Sequence, residues 1–163
     1  MISWREAARR GAMSGSIASL LSAITLAACG KIENDAAAGP LHGPSQWVWG
    51  RRAAYRRRPS WRYTAVGYCI HHLASIGWAT VHEKHIARLA HGRPPAARML
   101  AAGATAAIAC AVDYQVAKGR AQPGFDKQLS RTSLLFVYAA FAAGLALGGA
   151  PFGRRRRSFR APG

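Results

Sequence analysis

Four histidines and one aspartate are the residues of this chain that could do chemistry in an apolar environment. His71 and His72 stand side by side in the apolar stretch YTAVGYCIHHLASIGWATV, and Asp113 lies near the end of a later apolar stretch. His82 and His85 follow the first of these stretches as His-Glu-Lys-His. Ionisable residues inside apolar stretches are costly and indicate a functional site or a buried polar contact. These five side chains are therefore the candidate site residues.

The paired histidines allow three kinds of chemistry. A neutral imidazole can ligate haem or a transition metal, relay protons, or donate a hydrogen bond to a neighbouring helix. We take His71 and His72 as candidate cofactor ligands. The interpretation we favour is a buried hydrogen bond between helices, with no cofactor bound.

His82 and His85 are candidate metal ligands at the membrane surface. They lie three residues apart with Glu83 between them. They stand more than two helical turns from His71 and cannot join it in one mononuclear site. Their spacing is one residue short of the zinc-protease pattern, which needs both histidines on one helical face with a glutamate as base. A metalloprotease is therefore not expected.

Asp113 is predicted to pair with His71. If consecutive apolar helices run antiparallel, the two residues differ in depth by roughly 6 Å at 1.5 Å per residue. Such a buried polar pair would fix the register of two helices. The same pair could pass protons, which would suit a small proton-coupled carrier.

Four apolar stretches must position these residues, and each is close to the roughly 20 residues that cross a bilayer. They cover residues 11–28, 63–81, 96–117 and 132–150. Pro94-Pro95 separates the second from the third, and Ser130 is placed to cap the fourth. We predict an all-α polytopic membrane protein, a bundle of four transmembrane helices that forms one domain over residues 1–163.

The charge distribution supports this prediction. Lys and Arg number 23 against 6 Asp and Glu, which gives a net charge of +17, yet half the residues are hydrophobic and the mean hydropathy is close to zero. Apolar blocks alternate with basic blocks, whereas a soluble domain spreads its charges along amphipathic elements. Three cysteines are too few for a disulfide scaffold.

Two basic segments are predicted to meet the membrane surface. Residues 45–58 place Trp47, Trp49 and Tyr55 beside five arginines, a composition typical of an interfacial helix or turn. Residues 151–163 form a basic tail. No binding fold surrounds either segment, so the expected partners are anionic phospholipid headgroups, and nucleic acid is excluded.

The positive-inside rule does not decide the orientation of the chain in the membrane. Basic residues number 12 on the side of the termini and 11 on the other side. The charges at the N-terminus and after the last span favour both termini in the cytoplasm. An alternative concerns Leu26-Ala27-Ala28-Cys29, which matches a bacterial lipobox in which Cys29 would be lipidated and residues 1–28 removed.

Small residues recur every four positions in three of the apolar stretches. One such ridge contains Gly11, Gly15, Ser19, Ala23 and Ala27. The others are Ala140, Gly144 and Gly148, and Gly103, Ala107 and Ala111. Such ridges let helices approach closely, within one bundle or between protomers.

Several runs of the chain resemble a group of small uncharacterised bacterial inner-membrane proteins. These runs are GPSQWVWG, RYTAVGYCIHHLASIGWATVHE, VDYQV and QPGFDKQLS, followed by the closing apolar stretch. The resemblance extends from about Gly11 to Gly149 and implies a four-span architecture and a bacterial source, with no activity attached. The group has a histidine where this chain has Gln46, which weakens any metal site built on the first loop.

The functional prediction is a non-enzymatic structural or interaction subunit of the bacterial inner membrane. It would pack with itself or with another membrane subunit through its small-residue faces. Two alternatives stay open: a haem- or metal-binding membrane subunit that uses the mid-span histidines, and a small proton-coupled carrier.

Overall fold

The structure is a computed structural model, and it describes residues 2–90 and 93–149. Every regular element in this part of the chain is helical, so the predicted all-α class is confirmed. The predicted basic tail, residues 151–163, lies outside the described residues.

The first helix, α1 (Trp4–Asn34), has 31 residues and extends beyond the predicted span 11–28 at both ends. At 1.5 Å per residue it is about 46 Å long, well over the thickness of a hydrocarbon core. The Ser3 side chain accepts a hydrogen bond from the amide of Glu6 and caps its start. Asp35, in the left-handed conformation, ends it.

Three more long helices follow. They are α3 (Trp61–Val81), α4 (Pro95–Ala111) and α5 (Arg131–Gly148). The first two continue into a wider π-helical turn, His82–Ile86 after α3 and Val112–Val116 after α4. The Ser130 side chain accepts a hydrogen bond from the amide of Ser133, so the predicted cap of α5 is confirmed.

Three of these helices are long and apolar enough to cross a membrane: α1, the helix over Pro95–Val116, and α5. Among the residues described, α3 has the length but is not in this group. The physical reason is composition, because its histidine pair lowers the hydropathy of every window that contains it.

Helix α1 is the centre of the bundle, and glycines hold its neighbours against it. Gly11 and Gly15 face α3 so closely that a Cβ built on either would lie 2.7 Å from the Cα of Thr80 or of Ile76. On the other side, Gly144 and Gly148 of α5 meet the backbone of Ala18 and Ser14. The predicted small-residue contacts of α1 and of α5 are therefore confirmed.

The directions of the helices follow from these pairs. Residue numbers fall along α1 as they rise along α3, and the same holds for α1 and α5, so both neighbours run antiparallel to α1. Helix α4 packs against α5 and against the turn that follows α3, where His82 bonds to Thr105. The four helices are thus arranged in the order α3, α1, α5, α4.

The long connector between α1 and α3 folds back onto the bundle. It contains a 3-10 turn (Pro40–Ser45), the short helix α2 (Gln46–Trp49) and a second 3-10 turn (Arg51–Tyr55). The turn over Pro40–Ser45 packs on α3 at Gly67, where the Leu41 carbonyl occupies the space of a side chain. Five of the six residues of this turn are buried: Pro40, His42, Gly43, Pro44 and Ser45.

Small side chains predominate inside the bundle and many large apolar side chains lie outside, the reverse of the arrangement in a soluble protein. The interior cluster around α1 consists mainly of alanines, Ala18, Ala79, Ala102, Ala106 and Ala142. Large apolar side chains point outward instead: Leu20, Ile24, Leu73, Leu100, Ile108, Leu135, Phe136 and Leu147. Water would penalise this arrangement by roughly 25 cal/mol for each Å² of exposed apolar surface, and lipid does not. The described bundle is built as an α-helical membrane protein.

The glycine contacts give a stability prediction. In Gly144→Ala the added methyl group would enter the backbone of Ala18, whereas in Gly103→Ala it would meet nothing within 4 Å. We expect Gly144→Ala to lower the stability of the bundle by about 1–3 kcal/mol through overpacking. Gly103→Ala should leave it unchanged or raise it slightly through helix propensity. Thermal unfolding in detergent measures both, and equal stabilities would show that the α1–α5 contact does not hold the bundle together.

Candidate functional site

A cavity of ≈ 300 Å³ lies between the helices and contains two of the predicted site residues. Its walls are mainly apolar, and all four long helices and two loops contribute to them. The principal lining residues are Ser22, Trp47, Ile70, His71, Ser75, Trp78, Ala109, Val112, Asp113, Phe125, Tyr138 and Phe141. Apolar cavities with a few polar groups are the usual form of a small-molecule site.

His71 occupies the α3 wall of the cavity and is fixed by α1. Its Nε2 atom lies 3.0 Å from the Oγ atom of Ser22. The Ser22 hydroxyl donates to the Ala18 carbonyl at 2.7 Å, so its oxygen is left to accept the Nε2 hydrogen of His71. The ring of Phe125 packs edge-on against the imidazole, with centroids 5.7 Å apart. This hydrogen bond between helices agrees with the role that we favoured for the histidine.

Asp113 stands on the α4 side of the same cavity. The Tyr138 hydroxyl of α5 donates a hydrogen bond of 2.6 Å to its Oδ2 atom. Asp113 and His71 thus share one cavity, as their predicted depths imply, but each bonds to a different helix. The structure supports their proximity and gives no direct bond between them.

His72, the second of the paired histidines, does not line the cavity. It lies against Tyr68 of its own helix, with ring centroids 5.7 Å apart. Its buried Nδ1 atom has no hydrogen-bond partner in the described part of the chain. The two imidazoles therefore face different surroundings and do not converge on one ligand.

His82 and His85 are also separated. His82 is buried, and its Nδ1 atom lies 2.7 Å from the Thr105 hydroxyl of α4. His85 is exposed and packs edge-on against Trp4, with centroids 5.6 Å apart. Residues 2–90 and 93–149 contain no group of three or more His, Cys, Asp or Glu side chains that could hold a metal ion. The metal site predicted from the spacing of His82 and His85 therefore has no third ligand among the described residues.

Cys29 lies within α1, which continues past it to Asn34. Its side chain is half-buried and packs against the cluster of Leu26, Phe125, Leu129 and Val137. Cleavage before Cys29 would remove the helix on which α3 and α5 pack. The lipobox interpretation therefore conflicts with the part that residues 11–28 play in the bundle.

Sequence reasoning missed Ser22 and Tyr138, the partners of the two predicted residues. Each is a polar group in an apolar helix, and such groups bond to neighbouring helices. That signal was present in the sequence. Which of the many hydroxyl groups meets His71 or Asp113 depends on how the helices rotate and pack.

Sequence reasoning also missed His42, which closes the loop end of the bundle. His42 is fully buried. Its Nδ1 atom lies 2.9 Å from the Arg56 carbonyl, and its Nε2 atom lies 2.9 Å from the Thr64 hydroxyl. Nearby, the Gln128 side chain donates to the Ala54 carbonyl at 2.8 Å. These bonds attach the connector to α3 and to the loop before α5.

No protein-family model, no curated protein and no solved structure matches this chain.

The burial of His42 gives a pH prediction. Burial lowers the pKa of the His42 imidazole below its usual value of 6.5, because the charged form is costly away from water. The unfolded chain therefore binds a proton more readily, and the stability from neutral His42 is lost as the pH falls below about 6.5.

We expect the unfolding temperature to drop between pH 7.5 and pH 5, and to drop less in His42→Gln, whose amide can keep both hydrogen bonds. The control is His85→Gln at the exposed histidine, which should retain the wild-type pH dependence. An identical pH dependence in His42→Gln and wild type would contradict the assignment.

Proposed function

We propose that the protein is a four-span integral protein of the bacterial inner membrane that acts as a non-enzymatic structural or interaction subunit. The observation that carries the membrane assignment is the distribution of side-chain size. Small residues fill the interior, and large apolar residues cover the outside. In lipid, association depends on close packing of small residues, and this distribution is the one expected.

The fourth crossing is assigned to α3. It has 21 residues, which span about 31 Å as a helix. It runs alongside α1, from the contact of Gly11 with Thr80 to the contact of Ser22 with His71. Helix α5 contacts α1 over the same residues, at Ser14 and Ala18. A helix at this depth shares the membrane with its two neighbours, which supports a four-span bundle with both termini on one side. The basic residues near the N-terminus favour the cytoplasmic side.

The aromatic and basic connector supports contact with anionic phospholipid headgroups. The Arg62 guanidinium stacks on Trp49, 3.8 Å from the ring centroid, and Arg56 lies 4.6 Å from that of Tyr63. Trp61 is 84% exposed beside them. Aromatic rings and arginines at a helix end match the headgroup layer, where each basic side chain is worth about 1 kcal/mol.

A partner face remains available on α4. Whereas the small residues of α1 and α5 are used inside the bundle, nothing lies within 4 Å of a Cβ built on Gly103. Gly103, Ala107 and Ala111 line an open groove between α4 and α5. The uncovered ridge supports an interaction with a second copy or another membrane subunit.

The number of crossings can be tested with single cysteines in a chain whose three native cysteines are replaced by serine. Arg57→Cys lies in the connector before α3, and Arg88→Cys lies between α3 and α4. If α3 crosses the membrane and the termini are cytoplasmic, a membrane-impermeant maleimide should label residue 57 in intact spheroplasts. Residue 88 should react only after permeabilisation. Labelling of both positions from the same side would show that α3 does not cross.

The interaction role can be tested by photocrosslinking in native membranes. Benzoylphenylalanine at position 107 lies on the uncovered ridge, and the control at position 73 lies on the outward face of α3. We expect a protein adduct at 107, with the mass of a dimer if the partner is a second copy. Adducts at 107 no more abundant than at 73 would contradict the role of this face.

A further inference from the structure

We propose that the cavity between the helices binds a hydrophobic organic cation, with the Asp113 carboxylate as its counter-charge and aromatic rings as its walls. The site concerns a small-molecule ligand. It does not depend on the interaction role proposed above.

The Asp113 carboxylate determines the charge of the proposed ligand. Glu6, Asp35 and Asp126 each have a Lys or Arg nitrogen within 4 Å. Asp113, Glu33 and Glu83 have no such partner in the described part of the chain, and of these three only Asp113 lines the cavity. None of the residues that line the cavity is Lys or Arg. A carboxyl group in apolar surroundings is stable either in its protonated form or beside an opposite charge, and a cation bound in the cavity would supply that charge to Asp113.

The hydrogen bonding at the carboxylate leaves room for such a ligand. Tyr138 donates to Oδ2 of Asp113 and fixes the carboxyl group against α5. The structure assigns no hydrogen bond or ion pair to the second carboxylate oxygen among the described residues. Across the cavity, the Nε2 atom of His71 is bonded to Ser22 of α1, 3.0 Å from its Oγ atom, and not to Asp113.

The aromatic residues that line the cavity determine which kind of cation would bind there. Trp78, Phe125, Tyr138 and Phe141 bring aromatic side chains to the cavity from three different elements. Aromatic faces attract cations, most strongly when the cation is desolvated. A small, strongly hydrated ion would find too few oxygen ligands, because Asp113 is the only carboxylate among the lining residues. Quaternary or delocalised cations with apolar substituents meet both requirements.

The size of the cavity agrees with a hydrophobic organic cation as its ligand. A volume of ≈ 300 Å³ lies at the lower end of the range of small-molecule pockets. Residues of α3 and of α4 line opposite parts of the cavity wall, with His71 and Trp78 on one side and Ala109 and Asp113 on the other.

The test compares two ligands of nearly the same shape. Methyltriphenylphosphonium is a cation, and triphenylphosphine oxide carries the same three phenyl rings without net charge. Equilibrium dialysis against the full chain in a neutral detergent measures both affinities. The variants are Asp113→Asn and the matched control Asp126→Asn, whose carboxylate pairs with Lys127 outside this cavity.

We expect the cation to bind wild type and Asp126→Asn about tenfold more tightly than Asp113→Asn, which corresponds to about 1.4 kcal/mol. The neutral ligand should bind wild type more weakly than the cation and should not distinguish the variants. If the cation does not bind wild type, or if both ligands bind equally well, the proposal is wrong. An affinity for the cation that is unchanged in Asp113→Asn also overturns it.

Two further variants test the proposal if Asp113→Asn does not fold. Asp113→Glu keeps the negative charge and should keep the preference for the cation. Ala74→Phe narrows the cavity from α3 and should weaken binding of the cation. Full binding by Ala74→Phe would place the cation outside the cavity and overturn the proposal.

Discussion

The structure depends on the close approach of two helices to α1. Gly11 and Gly15 of α1 let the backbone of α3 approach closely. Gly144 and Gly148 of α5 do the same for the backbone of α1. Because these are backbone contacts, no side chain can move aside to make room for a larger residue. The buried face of α1 is accordingly made of glycine, alanine and serine, with Leu26 as its one large residue. In lipid, where hydrophobic burial contributes little between helices, such contacts are the main source of association.

A cavity lies beside this tightly packed region. Helices α3 and α5 pack on α1, and α4 packs on α5 and on the turn after α3. The space between α3 and α4 is bordered by larger side chains such as Trp78 and Phe141. His71 and Asp113 border this space from opposite sides, and each is held by a hydroxyl group of a tightly packed helix.

Polar residues have different functions at the two ends of the bundle. At the loop end, His42 and Gln128 attach the connector by bonds to backbone carbonyls, and the Glu33 carboxylate accepts a hydrogen bond of 2.8 Å from the Ser130 amide at the start of α5. At the other end, His82 bonds to Thr105, and Lys84 reaches the Ile2 carbonyl at 2.6 Å. These contacts are local attachments that fix helix ends. His71 and Asp113, the ionisable residues that line the cavity, bond to Ser22 and Tyr138 and take no part in these attachments.

The sequence by itself determined the helices, the cap at Ser130 and the small-residue faces of α1 and α5, because periodicity, turn residues and glycine spacing are local properties. It also indicated that His71 and Asp113 lie at similar depth, since depth follows from counting residues along antiparallel helices. Rotation of each helix about its axis and the order of the helices are not local. Only the tertiary structure decided that His71 faces the cavity while His72 does not, that Ser22 and Tyr138 are the partners of His71 and Asp113, and that α4 packs on α5. Those outcomes depend on which glycine faces meet, and several small-residue ridges of this chain could have met in their place.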